Sequence, residues 1–172
     1  SSASIGIAMG CSRYIEPEEL LRDADVAMYK AKAAGKARYE LYDAAMHEQA
    51  VRLLHLETDL RGAVARDEFV VHYQPIVSLP DGRLTGFESL VRWQHPTRGL
   101  VSPGDFIPIA EETDLIVQID RWVLRKACEQ MVAWRDILPA GDNLSVSVNL
   151  SSKQFMRSDL VDYIARVLAE TG

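Results

Sequence analysis

The chain has 172 residues, 48% of them hydrophobic and 26% charged, with a formal net charge of −6. That mix suits an ordinary globular domain and excludes a disordered or low-complexity chain. The acidic balance argues against duplex nucleic acid or an anionic membrane surface, both of which reward a basic face. A small phosphate-bearing molecule stays compatible, because a metal ion or a few arginines can hold it locally.

The two cysteines, Cys11 and Cys128, form no CxxC pair and no metal-ligand spacing, so they read as reduced, buried thiols. No apolar run reaches the ~20 residues that span a bilayer, and the first residues do not read as a secretory leader. The expectation is a cytoplasmic segment without membrane contact of its own, whose parent protein can still be anchored through regions outside it.

In chain order, residues 4–9 alternate with Ile5, Ile7 and Met9 on one face and predict a strand. A lone strand cannot satisfy its edges, so it either pairs with something later or the start of its domain is missing. Pro17 opens a helix carrying Leu20, Ala24, Ala27, Met28 and Ala31, and Gly35 stops it. Residues 38–42 suit a short strand. A second helical pattern runs over 44–66 through Met46, Leu53, Leu56 and Leu60, and reads as a connector into a further domain.

Two β-rich runs follow, 69–79 and 84–93. Pro80-Asp81-Gly82 between them is turn chemistry and predicts an antiparallel hairpin. Ser102-Pro103 then suits the start of a long helix that carries Ile119, Trp122, Val123, Ala127, Met131 and Trp134. Pro139-Ala140-Gly141-Asp142 ends it. Residues 144–150 predict a third strand, and Ser158 caps a last helix. The later order, strand–helix–strand–helix, is that of a parallel α/β fold.

The polar strand positions carry the chemistry. A strand covered on both sides reads apolar throughout. Here Glu88 and Arg92 share a face with Leu90, and Ser145, Ser147 and Asn149 share one face of the third strand. Either that face is solvated, as on one side of an antiparallel sheet, or it lines a polar pocket built from Glu88, Arg92 and Asn149. In the second case Glu88 and Asn149 offer hard-metal oxygens, and Arg92 a planar fork for phosphate. Spacing alone leaves both open. The histidines read as surface or packing residues, the tryptophans as core, and Asp114 and Asp120 as helix acids without a defensible partner-carboxylate pattern.

Four ordered blocks now resemble a known family: Tyr73-Gln74-Pro75-Ile76, Gly86-Phe87-Glu88-Ser89-Leu90-Val91-Arg92-Trp93, Ser102-Pro103 with Phe106-Ile107-Pro108-Ile109-Ala110-Glu111, and Val148-Asn149-Leu150-Ser151. Together they are similar to the EAL family over residues 57–172, with Glu88-Ser89-Leu90 at the eponymous Glu-Ala-Leu. The resemblance implies an eight-stranded α/β barrel of TIM type with an antiparallel first strand, and two Mg²⁺ or Mn²⁺ ions. It also implies hydrolysis of cyclic di-GMP to the linear dinucleotide. It makes Glu88 and Asn149 metal ligands and catalytic residues, sets Gln74 and Arg92 against substrate, and puts Leu90 on the guanine side. Residues 1–43 resemble the end of a GGDEF domain, with Lys32 and Lys36 as vestigial phosphate contacts; the cyclase signature itself is absent. Residues 44–56 are then the connector helix.

Such a barrel needs about 250 residues. The expectation is therefore an N-terminal half-barrel, inactive alone, from a cyclic di-GMP phosphodiesterase whose remaining ligands lie elsewhere, with a homodimer of the parent left open. The alternatives are a non-catalytic module that senses cyclic di-GMP through Gln74 and Arg92, and a structural piece that associates through an open sheet edge.

Overall fold

The computed structural model describes residues 3–10, 15–135, 137 and 144–172. It divides into two compact units, residues 1–56 and 57–172. Among the described residues no helix is long and apolar enough to cross a membrane.

In the first unit, β1 (Ile5–Ile7) pairs in parallel with β2 (Tyr39–Leu41), which answers the question of the unpartnered first strand. Helix α1 (Pro17–Ala33) connects them. Its charge follows the macrodipole, with Glu18 and Glu19 in the first turn and Lys30 and Lys32 in the last. Gly35 takes φ +105° after the cap, and Lys36 N–H returns to Ala31 O at 3.1 Å, so the helix closes in a Schellman turn. Lys32 and Lys36 are exposed at this end. Gly6 lies so close to α1 that a Cβ there would strike backbone atoms of Ala24 and Met28. Helix α2 (Ala44–Leu60) stops six residues short of the predicted end, giving way to turns before the next strand.

The second unit holds a four-stranded sheet. Strand β3 (Phe69–Val77) and the 12-residue β4 (Leu84–His95) form the expected antiparallel hairpin. The other edge of β4 is divided. Its far end, Trp93–His95, pairs antiparallel with a short β5 (Gly99–Val101). Its near end, Gly86–Ser89, pairs in parallel with β6 (Ser145–Val148). The strand β5 was not anticipated.

The single long helix predicted after Ser102 is two helices, α3 (Pro103–Glu112) and α4 (Leu115–Arg135). The break falls at Asp114, whose φ of +61° is incompatible with a continuing right-handed helix. Pro108 sits inside α3 without ending it. After β6 comes a one-turn α5 (Ser152–Phe155), then α6 (Leu160–Thr171), whose N-cap is Asp159 rather than Ser158. The Pro139–Asp142 breaker and Cys11 lie outside the described residues.

One face of the hairpin packs on α4. Phe69 meets Trp122 with ring centroids 6.0 Å apart, and Tyr73 and Phe87 meet Trp134 at 4.8 and 4.5 Å. Phe69, Trp93 and Phe106 complete an aromatic cluster, and Trp93 and Phe106 are fully buried. Trp93 donates its indole N–H to Glu68 at 3.0 Å, which satisfies the one polar atom such a ring brings inside. The remaining face of the sheet carries the polar positions.

Candidate functional site

Side chains alternate along a strand, so register decides which residues share a face. Gln74 lies directly opposite Glu88 across the antiparallel pair, and Ser147 lies opposite Glu88 across the parallel one. Asn149 follows Ser147 by two positions, and Leu90 and Arg92 follow Glu88 by two and four. The register therefore puts Gln74, Glu88, Leu90, Arg92 and Asn149 on one face, the face that α4 does not cover.

The central contact is direct: Asn149 Nδ2 donates to Glu88 Oε1 at 2.8 Å. Glu88 is half-buried, and Gln74 and Asn149 are exposed. Arg92 is half-buried and its Nη1 donates to the Val91 carbonyl at 2.8 Å, which anchors the guanidinium by one terminal nitrogen. Leu90 is half-buried beside it. Lys32 and Lys36 belong to the other unit.

Two features bring β4 and β6 to this spacing. Gly86 has no side chain, and a Cβ there would approach Ser145 Oγ to 2.6 Å. Ser89, fully buried, donates its hydroxyl to the Ser147 carbonyl at 2.9 Å. The divided edge of β4 matters as well. Pairing with β6 stops at Ser89 and pairing with β5 starts at Trp93, so Leu90–Arg92 have no strand neighbour on that side. A cavity of about 270 Å³ opens at this gap, lined by Arg92, Asn149, Leu150 and residues of α3 and α4 that include Glu111 and Asp120.

Asp120, for which the sequence offers no partner carboxylate, has a partner of another kind. It is 6% exposed and accepts two hydrogen bonds from Ser151, from its N–H at 3.0 Å and its Oγ at 2.6 Å. Burial pushes its carboxyl above the usual range, against the lowering effect of those two bonds. Ser151 Oγ in turn accepts from Gln154 N–H and caps α5. The signal was present in the sequence, as an acid among the apolar positions Ile116, Ile119, Val123 and Ala127. Asp114 pairs with Lys153.

His95 is likewise more than a packing residue. It is buried, its Nδ1 accepts the Thr97 and Arg98 N–H groups at 3.2 and 3.3 Å, and its Nε2 faces Asp59 at 3.0 Å. With Nδ1 accepting, the proton sits on Nε2 and points at the carboxylate. His55 and His72 are exposed, and the side chain of His47 lies outside the described residues. Cys128 is half-buried, and desolvation pushes its thiol up.

The donor chemistry suits a hard divalent cation in kind, since a carboxylate and an amide oxygen are what Mg²⁺ and Mn²⁺ prefer. In number it falls short. Among the described residues no group of three or more His, Cys, Asp or Glu side chains gathers at one place.

The geometry, a mixed α/β unit with an acid–amide pair across parallel strands, defines the class, and the sequence comparisons name it. The EAL domain matches residues 57–172, and the chain belongs to that family. The bifunctional diguanylate cyclase/cyclic di-GMP phosphodiesterase MucR of Pseudomonas aeruginosa is 46% identical over 167 residues, covering 97% of this chain and 24% of that protein. The cyclic di-GMP phosphodiesterase PdeR of Escherichia coli is 39% identical over 170 residues, 99% of this chain and 25% of that protein. The chain thus spans about a quarter of the length of these curated relatives. Among solved structures, the MucR phosphodiesterase in complex with c-di-GMP superposes with a TM-score of 0.63 at 48% identity, over 70% of this chain and 47% of that one.

Proposed function

We propose that this chain is a segment of a bacterial cyclic di-GMP phosphodiesterase. In this reading residues 57–172 are the first half of its EAL barrel, 44–56 a connector helix, and 1–43 the end of a GGDEF domain with Lys32 and Lys36 as vestigial phosphate contacts. The observation that carries it is the 2.8 Å contact between Asn149 and Glu88, with Gln74 in register beside them. Family membership and the names of the relatives support the same substrate.

Each residue has a role that its chemistry suits. Glu88 and Asn149 hold divalent Mg²⁺ or Mn²⁺ through their oxygens. Such an ion would supply Lewis acidity toward the phosphodiester and a more acidic water. Arg92, tied to Val91 through its terminal Nη1, presents its Nε–Nη2 edge to phosphate. Leu90 packs against a guanine, and Gln74 hydrogen-bonds the substrate from the neighbouring strand. Two oxygens fill only part of an octahedral shell, so the chain alone is inactive and the remaining ligands come from residues outside it.

The test is cyclic di-GMP hydrolysis followed by separation of the linear product, with Mg²⁺ or Mn²⁺, in the full-length protein, its Glu88→Gln variant and the 172-residue chain. The expected outcome is turnover by the full-length protein only. A full-length protein that binds cyclic di-GMP by calorimetry yet never cleaves it refutes the hydrolase reading. That result favours the alternative, a non-catalytic sensing module, which the sparse donor set here also suits. Turnover by the 172-residue chain refutes the claim that it is inactive alone.

A further inference from the structure

We infer that Asp120 is a positioning residue for the Glu88–Asn149 pair, acting through Ser151 at the end of β6. Its connection to metal binding rests on the hydrolase reading above; its connection to the placement of Asn149 does not.

Asn149 is exposed, and its side chain reaches Glu88 through a single hydrogen bond. Where that side chain starts from is set by the backbone on either side. Before it, β6 is held in register with β4 as far as Val148, opposite Ser89. After it, the chain leaves the sheet, and the first restraint is at Ser151. There Asp120 grips both the amide N–H at 3.0 Å and the hydroxyl at 2.6 Å. Because the Ser151 hydroxyl donates to Asp120, its lone pairs are turned to the Gln154 N–H at 3.1 Å. One buried carboxylate therefore fixes the exit from β6 and the start of α5 together. Asn149 is suspended between the two restraints, two residues from the second.

Energetics point the same way. A buried carboxylate costs several kcal/mol, and a well-packed apolar residue of similar volume is often equally or more stable. Asp120 sits in the apolar stripe of α4, where its two bonds to Ser151 offset part of that cost. Its return is geometric: two hydrogen bonds aimed at one residue that lies 31 positions away in sequence. Ligand-orienting partners of this kind typically cost 10–100-fold in metal affinity when removed.

The experiment uses three variants. Asp120→Leu removes the grip and keeps the branched shape; Asp120→Asn keeps an acceptor; Ser151→Ala removes one of the two bonds without touching α4. Nitrogen-15 NMR of the 172-residue chain follows the Asn149 side-chain amide, assigned by its loss in Asn149→Asp. The expected result is a shifted or broadened Asn149 signal in Asp120→Leu and, more weakly, in Ser151→Ala, with the Asp120→Asn signal near its wild-type position. In full-length protein, the Mn²⁺ concentration for half-maximal hydrolysis rises about tenfold or more in Asp120→Leu, while KM for cyclic di-GMP stays within about twofold. An unmoved Asn149 signal in folded Asp120→Leu overturns the inference, as does an unchanged Mn²⁺ requirement in an active full-length variant. If Asp120→Leu does not fold, the Ser151→Ala signal decides in the same two directions. If wild-type full-length protein lacks hydrolysis altogether, the hydrolase reading has failed and the NMR result alone judges Asp120.

Discussion

Replacing Gly86 by alanine tests whether close approach of β4 and β6 builds the site. An added Cβ would meet Ser145 Oγ at 2.6 Å and the Ser145 carbonyl oxygen more closely still. The hydroxyl can rotate away but the carbonyl cannot, so the strands must separate by roughly an ångström to recover ordinary contact. Overpacking of this kind costs about 1–3 kcal/mol. Weakening the Ser89–Ser147 bond adds about 1 kcal/mol, and the lower unfolded-state entropy of alanine returns about 0.4–1 kcal/mol. The expected net loss is about 2 kcal/mol. All three tryptophans, Trp93, Trp122 and Trp134, lie in residues 57–172, so tryptophan fluorescence during urea unfolding reports on this unit alone. Gly104→Ala is the control, because its Cβ meets nothing closer than 3.7 Å. A Gly86→Ala midpoint equivalent to less than about 0.5 kcal/mol of destabilisation, the range of ordinary surface substitutions, refutes the reasoning.

Other outcomes follow from single side chains. His95→Phe strips the acceptor from two turn N–H groups and the donor from Asp59, and costs about 2–3 kcal/mol in circular-dichroism melts. Burial raises the Tyr73 phenol from 10.0 to about 12, so its folded-state contribution is complete below its unfolded value near 10 and disappears as pH climbs toward 12. Ultraviolet titration of wild type against Tyr73→Phe checks this, the difference being an ionisation near 12. On the hydrolase reading, Arg92→Lys exchanges a fork for a point charge and weakens cyclic di-GMP binding by about tenfold in calorimetry, with the fold intact by circular dichroism.

The β3–β4 hairpin was legible because its information is local: two β-rich runs and a Pro-Asp-Gly turn sit side by side in sequence. The shared face of Glu88, Arg92 and Asn149 was legible for a similar reason, since alternation is a property of each strand alone. The choice between a solvated face and a pocket was not, because it depends on which strands become neighbours. Strand β5 is only three residues long and follows a turn held by His95, so no periodic signal announces it. The division between α3 and α4 rests on a left-handed Asp114, a conformation for which glycine is the usual marker. Asp120 and Ser151 are joined across the fold, and only the misplaced polarity of Asp120 hinted at a partner.

The two-partner edge of β4 makes length, more than identity, the quantity this strand must preserve. An insertion or deletion of one residue between Glu88 and Arg92 would send the two side chains to opposite faces and misalign β5 against β6 at once. The Ser78–Arg83 turn that precedes β4 bears no such restriction, because a longer loop there leaves both registers untouched. Tolerance to gaps should therefore collapse within a few positions on crossing from that turn into the strand.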